Sequence, residues 1–185
     1  MSFWKKKDNL IITTFVILFF AGIIYWYDLC CVRASFFESN SSDGFQIPFV
    51  DGDQKQHTLD LHKGKPLVVM FWATWCPACV KSMGTLNSFS KKFQEKGGEV
   101  LAISQDRGGL SAVRAYYTRH DYKNLPLYLD ASGKLMNTFS VRGLPTAIFI
   151  DAQGKEVDRI VGGVDWESSE MNAKVNQNFG LSLSQ

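Results

Sequence analysis

"FWATWCPACVKSM" (residues 71–83) decides how this chain is read. An apolar run ends, two cysteines follow with two residues between them, and a helical pattern begins. Just upstream, "LVVMFW" (67–72) is apolar without alternation, as expected of a strand buried on both faces. Downstream, a helix is expected from Pro77 to about Lys96, with Val80, Met83, Leu86, Phe89, Ser90 and Phe93 along one face, ended by Gly97 and Gly98. Cys76 then sits at the helix's first turn. Unpaired backbone N–H groups and the positive end of the helix dipole favour a thiolate there, and a cysteine so placed is nucleophilic at neutral pH. Pro77 suits this position because its missing N–H would have had no partner. Cys79, one turn further in, can close a disulfide with Cys76 or attack a mixed disulfide formed on it.

Two other readings of the pair are weaker. A metal site needs two further ligands, but no second C-x-x-C follows, and His57, His62 and His120 have no ligand spacing. A purely structural disulfide closing so short a loop adds little constraint to the unfolded chain. Four cysteines in 185 residues, with 45% hydrophobic content, point to a domain held by its core. The net charge of +2 offers no excess for nucleic acid.

The chain before residue 45 reads as a membrane tether. Residues 1–9 carry Lys5, Lys6 and Lys7 and are expected in the cytoplasm. Residues 10–27, "LIITTFVILFFAGIIYWY", are uncharged and as a helix would reach about 27 Å, close to the hydrocarbon thickness. A transmembrane anchor is expected, with everything after Tyr27 in a bacterial periplasm or its equivalent, where thiols can be oxidised. A cleaved signal peptide would have a shorter apolar core and small residues after it. A lipoprotein would want small residues where Tyr27, Asp28 and Leu29 precede Cys30. Residues 28–44 are expected to be a linker. Cys30 and Cys31 are adjacent, bridge poorly with each other, and read as spectators.

Residues 45–185 are expected to form one α/β domain. "FQIPFV" (45–50) and "KQHTLDL" (55–61) read as a strand pair. "EVLAIS" (99–104) reads as a second buried strand, 110–120 as a helix and 125–130 as a short strand. "TAIFID" (146–151) with "EVDRIVG" (156–162) reads as a hairpin, and 166–179 as a closing helix. Strands alternating with helices argue for a partly parallel sheet. Within "VRGLPTAIFID" (141–151), Pro145 stands where a strand tolerates proline, at its first residue.

"FWATWCPAC" followed by "VRGLPTAIFID" resembles the membrane-anchored TlpA/ResA-like thiol-disulfide oxidoreductases of the thioredoxin fold. "FQIPFVDGDQKQHTLDLHKGKPLVVMFWATWC", "ISQDRGG" and "GGVDW" extend the likeness over about 45–179. The resemblance implies a thioredoxin-like fold, a central mixed sheet flanked by helices, with an N-terminal β-hairpin and a helix–strand insert over about 109–129. It implies a cis Pro145 near the cysteines, attack by Cys76 and resolution by Cys79. Trp75, Pro77, Leu144 and Pro145 would bind substrate, whose backbone pairs as a short strand. No cofactor is implied. Expected partners are client-protein thiols and disulfides, as in cytochrome c biogenesis or copper-site assembly, and a transmembrane electron donor of the DsbD/CcdA type. Trp72 reads as core. Where reductases of the family carry Glu and Pro after the second cysteine, this chain has Ser82 and Gly84; Met70 replaces the acidic residue of ordinary thioredoxin, and Thr146 stands where heme-maturation reductases carry Glu. With no carboxylate evident for the Cys79 proton, a disulfide-donating oxidase remains an alternative to a reductase. A non-catalytic module binding copper or a partner through the thiols is the third reading.

Overall fold

The computed structural model describes residues 42–183. Helix α1 (Ser42–Phe45) precedes a hairpin of β1 (Phe49–Asp51) and β2 (Gln56–His57), and a 3-10 turn (Leu59–His62) leads to β3 (Leu67–Trp72). Then come α2 (Pro77–Glu95), β4 (Glu99–Ser104), α3 (Gly109–His120), β5 (Tyr128–Leu129), α4 (Lys134–Thr138), β6 (Thr146–Ile150), β7 (Glu156–Val161) and α5 (Ser169–Phe179). The strands make one seven-stranded sheet in the order β2-β1-β5-β4-β3-β6-β7. β3 runs parallel to β4, and β4 to β5, while β6 lies antiparallel to β3. This is the mixed sheet flanked by helices that the sequence predicts.

The apolar run of β3 is buried at every residue. Because side chains alternate across a strand, it feeds two cores. Val68, Met70 and Trp72 enter a core with Met83, Leu86, Phe89 and Phe93 of α2 and Met171 and Val175 of α5. Leu67, Val69 and Phe71 enter a second core on the other face, with Phe45, Phe49, Leu59, Leu135 and Phe139. β4 and β6 divide their residues in the same way.

Several expected boundaries move. The strand expected at 45–50 starts only at Phe49, and the one expected at 125–130 shortens to Tyr128–Leu129. Residues 58–61 do not extend the hairpin: β2 has only two residues, and the chain turns into the 3-10 element. A strand would have put Leu59 and Leu61 on one face. The turn instead buries Leu59 and His62, three apart, and leaves Leu61 69% exposed. The end of the expected linker is ordered as well, since α1 starts at Ser42 and Phe45 is buried against Phe139. Gly44 permits this contact, because a Cβ there would lie 2.9 Å from the Phe139 ring. The closing helix starts at Ser169 rather than Trp166, capped by the Ser168 side chain accepting from Met171 N. Trp166 lies in the loop before it, packed against Phe89.

The expected membrane span at 10–27 and the Cys30–Cys31 pair fall outside the described residues. Among the described residues, no helix is long and apolar enough to cross a membrane.

Candidate active site

Strand register brings the two sequence motifs together. Phe71 pairs with Thr146 and Met70 with Ala147, so the C-terminal end of β3 lies beside the start of β6. The loop from Ala73 to Cys76 therefore leaves the sheet next to Leu144 and Pro145, joined by a cis peptide bond.

The loop before Cys76 is fixed by a residue the sequence reading passed over. Asp106, just after β4, is 3% exposed. Its carboxylate accepts from Thr74 N at 3.0 Å, Thr74 Oγ1 at 2.6 Å and Ser104 Oγ at 2.7 Å. Gln105 N donates to Trp72 O at 2.8 Å, and Cys76 N to Ala73 O at 3.2 Å. The start of the loop is thus tied to the segment after β4, and the Cys76–Ala73 bond closes the turn within it.

Cys76 is the N-cap of α2, with φ −94° and ψ 108°. Its Sγ accepts from Cys79 N at 3.3 Å, so sulfur occupies the place an N-cap oxygen usually takes. Pro77 follows at the first helical position. Cys76 and Cys79 form a disulfide, their Cα atoms 5.2 Å apart. They differ in access: Cys76 is 6% exposed and lines an open cleft, whereas Cys79 is 0% exposed within the core that holds Met70 and Trp72.

The cleft has a volume of about 540 Å³. Trp75, 66% exposed, lines it with Cys76 and Pro77. Arg142, Gly143 and Leu144 line it from the approach to β6, Gln105 and Arg107 from the end of β4, and Asp130–Gly133 with Met136 and Asn137 from the end of β5 and α4. Of the residues expected at the site, Trp75, Cys76, Pro77 and Leu144 meet in this cleft. Cys79 and Pro145 are buried and are not part of its lining. The residues missed stand where β4 and β5 end. In open α/β sheets, sites gather at the carboxyl ends of strands, and that signal would have pointed to them.

Ser82 has a structural employment. Its Oγ donates to Ala78 O at 3.3 Å and accepts from Val164 N at 3.0 Å. Thr85 Oγ1 donates to Ser82 O at 3.2 Å and accepts from Trp166 N at 3.2 Å. These two hydroxyls hold the 163–166 loop against α2. Gly163 is required for the approach, since a Cβ there would sit 2.8 Å from the Ala78 carbonyl oxygen. A backbone atom cannot swing aside as a side chain can. Gly163→Ala is therefore expected to cost about 2 kcal/mol through overpacking, measurable as a lower midpoint in thermal or urea melts.

Tyr116 and Tyr117 pack against Trp72 behind the site. Burial pushes both phenols well above their ordinary pKa, so they stay neutral at physiological pH.

Residues 39–175 match the Redoxin family. The chain is 32% identical over 162 residues to the thiol-disulfide oxidoreductase ResA of Bacillus cereus, covering 85% of this chain and 90% of that protein. Among solved structures it is similar to the pneumococcal exposed lipoprotein thioredoxin of Streptococcus pneumoniae, with a TM-score of 0.59 and 31% identity over 69% of this chain and 97% of that one. A secreted disulfide oxidoreductase of Mycobacterium tuberculosis shares the fold, with a TM-score of 0.62 and 20% identity over 73% of this chain and 98% of that one.

Proposed function

From the premise that this chain belongs to the Redoxin family and is a TlpA/ResA-like thiol-disulfide oxidoreductase of thioredoxin fold, we propose that it is a periplasm-facing, membrane-tethered reductase in which Cys76 attacks and Cys79 resolves. The unequal access of the two sulfurs carries the assignment of roles: Cys76 borders the cleft, and Cys79 is sealed in the core.

In the dithiol form, the Cys76 thiolate attacks one sulfur of a client disulfide. The client S–S bond breaks, an S–S bond to Cys76 forms, and the departing client thiolate takes up a proton. Cys79 then gives up its proton, and its thiolate attacks Cys76 Sγ. The second client thiolate leaves. The client has gained two electrons, and the protein holds the Cys76–Cys79 disulfide. A dithiol donor in the membrane, of the DsbD/CcdA type, reverses that oxidation. The helix N-terminus favours the thiolate as both attacking and leaving group. Leu144 and the cis Pro145 supply the edge along which the client backbone pairs, with Trp75 and Pro77 beside the sulfur. The proposed clients are apocytochrome c or a copper-site assembly protein.

One observation favours the reverse flow, in which the protein donates its disulfide. Ser82 stands at the family's carboxylate position and is engaged by Ala78 and Val164, so the position from which the family's Glu would receive the Cys79 proton holds a hydroxyl. A Cys79→Ala chain expressed in cells is expected to hold its client on Cys76 as a mixed disulfide, which mass spectrometry identifies. Alkylation of the parent in cells reports the direction. A mostly dithiol pool supports the reductase, and a mostly disulfide pool overturns it in favour of the oxidase.

A further inference from the structure

We propose that Arg107 and Arg142 form a cationic rim on the cleft that docks an acidic segment of the client beside its cystine, a reading that rests on Cys76 being the attacking sulfur. The two arginines come from different parts of the chain. Arg107 follows Asp106 at the end of β4, and Arg142 precedes Gly143 and Leu144 on the approach to β6. Both line the same cleft as Cys76 and Trp75, and both are exposed. Neither guanidinium is paired with an acid among the described residues.

The nearby carboxylates are buried and make no ion pair with them. Asp130 also borders the cleft but is 2% exposed, accepting from Ser132 Oγ at 2.9 Å and Met136 N at 3.1 Å. Asp106 is equally buried and occupied by Thr74 and Ser104. The remaining polar lining, Gln105, Ser132 and Asn137, is uncharged. The cleft thus offers a client two exposed guanidinium groups with no ion-pair partner among the described residues, while its carboxylates lie buried. A carboxylate in a bound peptide is a natural partner for a guanidinium, through two parallel hydrogen bonds. A client strand lying along Leu144 would carry the residues flanking its cystine past this rim. Charge of this kind acts on encounter and on the choice of partner more than on chemistry.

The test uses the full chain in a nonionic detergent and two synthetic peptides, each with one intramolecular disulfide. They are identical except that the residues flanking the cystine are Glu in one and Gln in the other. Exchange is followed in both directions, reduced protein with peptide disulfide and oxidised protein with peptide dithiol. Each rate constant is divided by that of the same peptide with dithiothreitol or its disulfide. The parent is expected to favour the Glu peptide about fivefold at low ionic strength, and salt should shrink that ratio. In R107Q/R142Q the ratio is expected near one, and R107K/R142K should keep a preference because the charge survives. The Gln peptide is the internal reference, so a general loss of reactivity cancels. A parent ratio near one, or a ratio unchanged in R107Q/R142Q, overturns the proposal. Should Cys76→Ser exchange with either peptide as fast as the parent, it is the assignment of the attacking sulfur that fails.

Discussion

Cys76→Ser is expected to slow thiol–disulfide exchange by at least about a thousandfold, the scale on which removing a covalent nucleophile acts. A serine hydroxyl at the N-cap can still accept from Cys79 N, so the helix keeps its start and the loss is chemical. Cys79 does not take over, because it is 0% exposed and faces the core rather than the cleft. The companion variant separates the two roles. Cys79→Ser should form the first mixed disulfide at close to the parent rate in a single turnover and then stall. Stopped-flow mixing of each protein with a peptide disulfide measures both steps. Equal loss of the first step in the two variants would contradict the division of labour.

The second large effect is expected at Asp106, which touches neither sulfur. Asp106→Ala leaves Thr74 N, Thr74 Oγ1 and Ser104 Oγ without their buried acceptor. Orphaning such groups costs about 3 kcal/mol in total, or roughly 10 °C in melting temperature for a domain of this size. The 73–76 loop would also lose its anchor to β4, and exchange at Cys76 should fall about tenfold as the sulfur is held less well. Asp106→Asn should be milder, about 1 kcal/mol. Its carbonyl can accept from Thr74 N and Ser104 Oγ, while its amide donates to a rotated Thr74 hydroxyl. Thermal melts and single-turnover rates check both. An alanine variant that melts within about 2 °C of the parent would show that the loop is held by something else.

Much of this arrangement was legible because its causes are local. A six-residue apolar run bounded by turn residues suits a strand covered on both faces, and β3 is buried throughout. A cysteine followed by proline at the head of a helical pattern is an N-cap by backbone chemistry alone, and Cys76 occupies that position. What was hidden depends on contacts distant in sequence. "TLDL" alternates like a strand, but Leu59 is drawn into the core with Phe45 and Phe49, and the chain must turn to place it. Asp106 reads as one acid in a polar loop until Thr74, 32 residues away, is seen to donate to it twice. Ser82 reads as a missing carboxylate and proves to be a clasp on residue 164, 82 positions later. No periodicity reports such pairings.

β5 has a consequence larger than its two residues. On one side, Val50 and Asp51 of the hairpin pair with Leu129 and Tyr128; on the other, the strand borders Ile103 and Ser104 of β4. Immediately after it the chain begins the Asp130–Asn137 wall of the cleft. The opposite supports of Cys76 rest on β3, β4 and β6. One wall of the groove is therefore carried by β5, while the wall that holds the sulfur is carried by β3, β4 and β6. Asp130 N donates to Ser104 O, so this far wall is clamped at its root, and new clientele is reachable by exchanging the side chains of the 130–137 excursion while the reactive atom keeps its seat.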